Sequence, residues 1–179
     1  MNQPFRQRIS AYLLTISAAG FSAWVGYEGF SNTPIIPTKG DVPTIGHGST
    51  RYEDGTKVKM NDPPITKKRA EQLARNLMSG DEKLFRNSIP GVSLYQVEYD
   101  VYLDFVGQYG IGNWRGSSMR RHLQVGQYRQ ACDSLLKWRF AAGFDCSTPG
   151  NHRCPGVWTR QLERHDKCIK AQEGSNDAD

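Results

Sequence analysis

The feature that most constrains how this chain folds is a run without charged residues from Ile9 to Tyr27, followed at once by Glu28. The run is close to the roughly 20 residues that a helix needs to cross a bilayer. Its content of alanine, serine, glycine and threonine makes it only weakly apolar, unlike a permanent anchor rich in leucine and isoleucine. Three interpretations are open: a cleaved signal peptide, a retained membrane anchor, or a buried helix of a soluble protein.

The charges that flank this run favour export of the chain. Arg6 and Arg8 precede it without any acidic residue, and basic residues ahead of an apolar segment keep that side in the cytoplasm. The remainder of the chain is then predicted to lie outside. Cleavage after a small residue such as Ala23 would remove the helix that holds Glu28, so we expect the segment to be retained.

The four cysteines agree with export, because an even number is typical of disulfide-bonded proteins in an oxidising compartment. Cys132 and Cys168 fall in helical patterns, whereas Cys146 and Cys154 flank a loop. Among the three possible connectivities we therefore prefer Cys132–Cys168 and Cys146–Cys154. A zinc site needs shorter paired spacings than these, so no metal is expected.

Residues 29–65 carry signals for turns and short strands. Helical periodicity is lost there, and Asp54-Gly55 is a dipeptide typical of hairpins. Short β-prone pieces at 35–36, 42–45 and 57–60 lie between turn signals. We therefore predict a small twisted β-hairpin lobe. Proline occurs at positions 34, 37, 43, 63 and 64, and glycine at 29, 40, 46, 48 and 55.

From Thr66 onward the pattern is helical. Thr66 is a predicted N-cap, and Ser93 with Gln96 has the form of a capping box ahead of a long apolar stripe. Gly110 is predicted to break that central helix. Shorter helices follow to residue 170, and residues 171–179 form a polar tail. The predicted class is α+β, mainly helical, with a small N-terminal β-hairpin lobe.

Size and charge narrow the possible partners. The 179 residues are 37% hydrophobic and carry a formal net charge of +5, which suits one domain or a small two-lobed one. A basic excess favours an anionic partner such as nucleic acid, an anionic membrane or an acidic wall polymer, although it also simply keeps proteins soluble. Export makes nucleic acid the least favoured of these partners.

Glu28, Asp41 and Thr44 form a candidate constellation for glycoside hydrolysis. That reaction needs a protonated acid at the leaving oxygen and a second group that positions water or stabilises the developing cation. Aromatic residues around Glu28 provide the partly apolar setting that keeps an acid protonated. Asp41 is the next carboxylate in the chain, and the Thr44 hydroxyl can hold a water. From spacing alone, however, a glutamate that ends a helix and an aspartate that makes a turn are the more common outcome.

The order of several motifs makes the chemical interpretation specific. Glu28-Gly29 followed by Pro-Thr-Ile-Gly-His-Gly at 43–48 resembles the phage-type lysozymes, glycoside hydrolase family 24, whose signature is E-G, an aspartate, then T-I-G-x-G-H. The resemblance continues at 105–118, 126–132 and 156–161. It implies a lysozyme-like catalytic domain over 28–170 that hydrolyses the β-1,4 bond between N-acetylmuramic acid and N-acetylglucosamine in peptidoglycan, without a cofactor.

By that resemblance Glu28 is the acid, Thr44 holds the water, and Gln108 matches a cleft residue that contacts the sugar. The family spacing E-x8-D-x5-T is one residue longer here, and Thr38 stands where the aspartate is expected. We predict that Asp41 takes that role instead. The histidine of the signature is also displaced. His47 is grouped with Gln108 at the substrate site, in a hydrogen-bonding rather than a catalytic role, because a lysozyme needs no third titrating group.

The same resemblance implies a function for the weakly apolar run. Some members of the family look like signal-arrest-release endolysins, in which such a segment, here within residues 1–27, keeps the enzyme inactive at the inner membrane and later leaves it. We expect residues 9–27 to refold on release as the helix that presents Glu28. The predicted protein is a monomeric phage endolysin, exported to the host periplasm and transiently tethered there. A lytic transglycosylase and a non-catalytic basic protein that binds wall or membrane are the alternatives.

Overall fold

The computed structural model describes residues 7–38 and 40–173, and in that part of the chain helices dominate over three small antiparallel sheets. This confirms the predicted α+β class. The helices are α1 Ala18–Glu28, α2 Lys67–Ser88, α3 Gln96–Gly116, α4 Ser118–Gln124, α5 Tyr128–Ser134 and α6 Pro155–Glu173. The strands are β1 Ile9–Ser10, β2 Ser31–Ile35, β3 Thr44–Gly46, β4 Ser93–Leu94, β5 Phe140–Ala141 and β6 Phe144–Asp145.

The chain divides into two compact units. The first, which we call the hairpin unit, comprises Ser17–Leu84. The second, the helical unit, comprises the residues up to Ile16 and those from Phe85 onward. The boundary at residues 84–85 falls within α2, and the segment that precedes α1 belongs to the helical unit.

The hairpin unit contains the predicted β lobe. β2 and β3 are antiparallel, with Ser31 opposite Gly46 and Ile35 opposite Thr44. The Asp54-Gly55 turn is present as predicted, because the Tyr52 N–H donates to the Thr56 carbonyl at 2.9 Å. At 57–60 only an isolated bridge forms, from Lys57 to Arg51, in place of the expected strand. A small core closes the unit, made by Ile45, Val58 and Leu73 with Tyr52 and Ile65 packed against it.

The helical unit is built around α3, which buries the aromatic side chains of Tyr99, Tyr102, Phe105 and Trp114. The Trp114 indole packs edge-on against Phe85, with ring centroids 5.1 Å apart, and donates to Ser88 Oγ at 2.7 Å. The predicted break at Gly110 appears as a kink, with φ 81° and ψ 157°, after which the helix continues to Gly116. Because glycine tolerates positive φ, the kink needs no strained side chain.

The predicted capping box of Ser93 and Gln96 is wrong. Ser93 is taken up by β4, and α3 begins at Gln96 with Tyr95 as its N-cap residue. Glu98 is the residue that reaches back, since its carboxylate accepts the Tyr95 N–H at 2.8 Å. The capping geometry is thus shifted along the chain by the strand pairing.

The prediction of a single helix over residues 9–27 is also wrong for this folded form. β1 pairs with β4, a 3-10 turn follows at Ala11–Leu13, and α1 starts only after Ser17, whose Oγ accepts the Gly20 N–H at 3.0 Å. A serine at this position is a strong N-cap, so it sets the start of the helix. None of the helices described for this chain has both the length and the hydropathy to cross a membrane.

The C-terminal part departs from the sequence prediction in one respect. α6 continues to Glu173 and buries Ala171 and Gln172, so the polar tail begins later than residue 171. Residues 174–179, like Arg6, lie outside the described residues. Cys132–Cys168 joins α5 to α6, and Cys146–Cys154 closes the loop before α6. These are the disulfide pairs preferred from the sequence, and they use all four cysteines.

Candidate functional site

Glu28, the predicted acid, is the last residue of α1. The helix buries Phe21 and Trp24, and the Arg75 guanidinium lies 3.9 Å from the centroid of the Phe21 ring. The chain then leaves the helix through Gly29, which has φ 71° and ψ −168°. The glutamate side chain is exposed to solvent. A helix anchored by two buried aromatic side chains thus ends in a carboxylate that a substrate can reach.

Thr44, the predicted water-holding residue, is the first residue of β3 and is half-buried. Its hydroxyl donates to the Ile35 carbonyl at 3.5 Å, a long contact at the limit of hydrogen bonding. The hydroxyl oxygen also keeps its acceptor lone pairs. The side chain is therefore anchored only weakly to its partner strand and has the capacity to bind a water.

Asp41 and Thr38, the two candidates for the aspartate position, both lie in the exposed connection between β2 and β3. The Asp41 N–H donates to the Thr38 carbonyl at 2.9 Å, which closes a turn around Gly40. Lys39 lies outside the described residues. Of the two side chains only Asp41 can carry negative charge, so the role predicted for it stays with it as a proposal.

His47 is buried, with 3% of its surface exposed. Its Nδ1 donates to the carbonyl oxygen of Gly29, the residue that follows Glu28. The Phe30 ring packs against the imidazole, with ring centroids 5.6 Å apart. This backbone contact fits the hydrogen-bonding role expected of His47, and its place at the substrate site stays a prediction.

Gly48 brings the β3 turn close to the proposed acid. A Cβ placed on Gly48 would lie 3.9 Å from Glu28 Oε2, and its backbone has φ 83°. The carboxylate therefore lies against a stretch of backbone that carries no side chain. Glycine at this position keeps the approach to Glu28 open.

Gln108, the predicted sugar contact, lies on α3 in the helical unit, whereas the other four predicted site residues belong to the hairpin unit. Its Oε1 accepts a hydrogen bond from Arg164 at 2.7 Å. That bond fixes the orientation of the amide and leaves its NH2 as the group that can donate to a ligand oxygen.

Arg164 belongs to an ion-pair cluster that the sequence patterns did not predict. Asp104 accepts from Arg160 at 2.5 Å and from Arg164 at 2.6 Å. Burial by itself would raise the pKa of the Asp104 carboxyl, but the two guanidinium groups outweigh it and keep that pKa below its usual value. The sequence does contain a pattern that fits this cluster, namely two pairs of polar residues at i, i+4 spacing. These are Asp104 with Gln108 on α3 and Arg160 with Arg164 on α6. Neither pattern, however, indicates that the two pairs contact each other between α3 and α6.

Metal binding has no support in the described residues, because no group of three His, Cys, Asp or Glu side chains among them is arranged to hold an ion. The cysteines considered as zinc ligands are consumed in disulfides.

Comparison with known proteins shows which family this chain resembles. The phage lysozyme family model matches residues 25–163. The endolysin of Salmonella phage P22 is 28% identical over 129 residues, which cover 72% of this chain and 86% of the relative. The SAR-endolysin of Enterobacteria phage PA-2 is 25% identical over 164 residues, 90% of this chain and 88% of the relative. The crystal structure of a P22 lysozyme mutant has a TM-score of 0.73 at 24% identity, covering 88% of this chain and 99% of that one, and shows the same fold.

Proposed function

Because this chain belongs to the phage lysozyme family and is an endolysin, a glycoside hydrolase that acts on peptidoglycan, we propose that it hydrolyses the β-1,4 bond between N-acetylmuramic acid and N-acetylglucosamine with Glu28 as the general acid. The observation that carries the proposal is the exposed carboxylate at the end of α1, in the Glu28-Gly29 position of the family motif. A net charge of +5 suits an acidic wall polymer.

In the proposed mechanism Glu28 donates its proton to the glycosidic oxygen as the bond to the leaving sugar breaks. Thr44 orients the attacking water through its weakly anchored hydroxyl. Asp41 provides the negative charge that stabilises the developing oxocarbenium ion, and its carboxylate accepts the proton that the attacking water loses. In the helical unit, the Gln108 amide NH2 is the proposed donor to a sugar oxygen of the glycan.

The test is the activity of Glu28→Gln on purified peptidoglycan, with the product masses measured. We expect a loss of about a hundredfold or more, because an amide cannot donate the proton that the leaving oxygen needs. Glu173→Gln, the same change at an exposed position at the end of α6, serves as the control and should retain activity.

Three results would contradict this proposal in different ways. Wild-type products with an anhydro end instead of added water indicate a lytic transglycosylase. Clearing of outer-membrane-permeabilised cells by Glu28→Gln at the wild-type rate indicates a non-catalytic basic protein. Loss of activity in the Glu173→Gln control indicates an effect of folding rather than of the acid.

We further propose that the enzyme is exported to the periplasm as a monomer and is tethered at first to the inner membrane through residues 9–27. The uncharged run, the two disulfides and the similarity to a SAR-endolysin support this. In the tethered state residues 9–27 adopt a conformation different from the strand, turn and helix of the folded form. Fractionation of cells expressing the chain tests the proposal, since protein found only in the cytoplasm contradicts it.

A further inference from the structure

We propose that His47 is a positioning residue for the proposed acid: its buried imidazole holds the backbone that follows Glu28 and thereby sets the direction of the carboxylate. The proposal rests on the assignment of Glu28 as the acid. The family signature leaves this position open, since it is the x of T-I-G-x-G-H.

The hydrogen bonding of the imidazole connects His47 to the backbone next to Glu28. Nδ1 donates to the Gly29 carbonyl, and a ring nitrogen can do so only when it carries a proton. The other nitrogen, Nε2, is buried and has no hydrogen-bond partner among the described residues. Within that part of the chain, the one polar contact of the ring is therefore with the peptide next to Glu28.

The backbone at Gly29 needs such an anchor. Gly29 leaves the helical conformation with φ 71°, and a glycine can adopt many other backbone conformations at little cost. Without the bond to His47, the first anchor that the β2–β3 pairing gives the chain after α1 is Ser31 opposite Gly46, so Gly29 and the end of the helix are less restrained. A displacement of about 1 Å at a reacting group is enough to cost about a hundredfold in rate.

His47 also reaches the carboxylate through its neighbour in the chain. Gly48 lies close enough to Glu28 that an added Cβ would be 3.9 Å from Oε2. The side chain of His47 thus holds Gly29, while its backbone carries Gly48 against the carboxylate. One residue sets both the origin of the Glu28 side chain and the surface that the carboxylate faces.

The experiment compares His47→Leu, which removes the donor and keeps bulk, with His47→Gln, which retains a donor for the Gly29 carbonyl. Kinetics are measured far below the Tm of each variant. We expect kcat to fall about ten- to a hundredfold in His47→Leu with KM little changed, and His47→Gln to recover most of the loss. His152→Leu, an exposed loop position, is the matched control.

Two outcomes overturn this proposal. A lower Tm with unchanged kcat shows that His47 only stabilises the fold, and a higher KM with unchanged kcat shows that it contacts substrate. The assignment of the acid is tested separately, because an active Glu28→Gln removes the proposed function whatever the His47 variants do.

A second inference concerns Arg8, and different contacts carry it. We propose that Arg8 and Glu98 form a latch that retains the N-terminal segment on the helical unit after it has left the membrane. This proposal rests on the tethering proposed above and names the contact that completes release.

The latch is centred on a fully buried carboxylate. Glu98 is 0% exposed and accepts two hydrogen bonds from the Arg8 guanidinium, each at 3.1 Å. The same guanidinium donates to Gln172 Oε1 at 2.6 Å. It also lies over two aromatic rings, 4.2 Å from the centroid of Tyr95 and 3.6 Å from that of Tyr128.

The residues after Arg8 are attached mainly through backbone. The Ala11 N–H donates to the Val92 carbonyl at 2.9 Å, and Arg86 and Gln96 donate to the carbonyls of Leu14 and Thr15 at 3.1 and 2.8 Å. Tyr12 and Leu13 remain exposed. Besides the buried apolar side chains of Ala11 and Leu14, the segment thus has the ion pair of Arg8 with Glu98 as its charged contact with the rest of the helical unit.

The two proposed states place Arg8 in different surroundings. In the tethered state a basic residue ahead of the apolar run stays on the cytoplasmic side. Glu98 then lacks its cation and keeps the neutral donors Tyr95 N–H and Gln172 Nε2, at 2.8 and 2.6 Å. A buried carboxylate whose charge is not compensated is strongly unfavourable. The helical unit is therefore complete only after Arg8 itself has crossed, so formation of the latch opposes return to the membrane.

Arg8→Lys and Glu98→Gln test the latch. The lysine keeps the flanking charge but loses the two-point contact, and the glutamine leaves the N-terminal segment unaltered. At the time when half of the wild type has left the membrane fraction, we expect well over half of either variant to sediment with membranes. The purified variants should show a Tm lower by roughly 10 °C. Arg121→Lys and Glu173→Gln, both at exposed positions, are the controls.

Release of both variants at the wild-type rate, with or without a lower Tm, overturns the latch. A wild-type protein that never sediments with membranes overturns the tethering proposal instead. The two failures are thus distinguishable in one fractionation experiment.

Discussion

Asp41 is the only carboxylate in the connection between β2 and β3, where Thr38 occupies the family's aspartate position. Its charge is what the proposed oxocarbenium ion requires. We therefore expect Asp41→Ala to lower kcat about a hundredfold or more, while Thr38→Ala stays close to wild type. Initial rates on peptidoglycan decide between them, and the reverse order would move the role to another group.

The backbone conformation and the close packing at Gly46 both require glycine. Its φ is 67°, and a Cβ there would lie 2.9 Å from the Cβ of Ala70. Gly46→Ala should therefore lower the free energy of unfolding by about 2–4 kcal/mol, from backbone strain and overpacking together.

The matched control is Gly55→Ala, which has a similar φ of 85° but open space around the added methyl. Gly55→Ala should lower the free energy of unfolding by the backbone strain alone, about 1–2 kcal/mol. Urea denaturation measures both changes. Equal losses would show that the approach of Ala70 contributes nothing.

At the scale of elements, α3 and α6 are joined by the buried pairs of Asp104 with Arg160 and Arg164. Asp104→Asn removes the carboxylate that two buried guanidinium groups share, so it should lower the free energy of unfolding at pH 7 by about 3–5 kcal/mol. Asp166→Asn, which removes an exposed partner of Lys170, should leave stability nearly unchanged.

The same substitution predicts a pH dependence. The pKa of Asp104 is lower in the folded state than the unfolded value of about 3.9. Its contribution to stability is therefore complete above that unfolded value and is lost as the pH falls through the folded pKa. The difference between wild type and Asp104→Asn should shrink below about pH 4 in denaturation curves. A constant difference down to about pH 2 would contradict the assignment.

At the scale of the whole molecule, the two disulfides differ in the length of chain that they close. Cys132–Cys168 spans 36 residues and Cys146–Cys154 spans 8. Loop-closure entropy predicts that replacing the first pair with alanine costs about 4 kcal/mol and replacing the second about 2.5 kcal/mol. Thermal unfolding of the two double variants tests the order. Thiol titration of the denatured wild type should find no free cysteine.

Local patterns account for much of the fold and for part of the candidate site. The helix start at Thr66, the kink at Gly110 and the turn at Asp54-Gly55 depend on nearby residues, so the sequence alone indicates them. The N-cap of α3 was predicted wrongly because Ser93 lies in β4, which pairs with the distant strand β1.

The sequence by itself determined the family, the placement of Glu28 at the end of a helix and the preferred cysteine pairs, because these depend on motif order and local periodicity. Only the tertiary structure decided that the uncharged run divides at Ser17, that Arg8 is paired with Glu98, and that His47 is buried against Gly29. The physical reason is that burial and ion pairing depend on which distant segments meet. Arg8 and Glu98 are 90 residues apart, and no local pattern reports their contact.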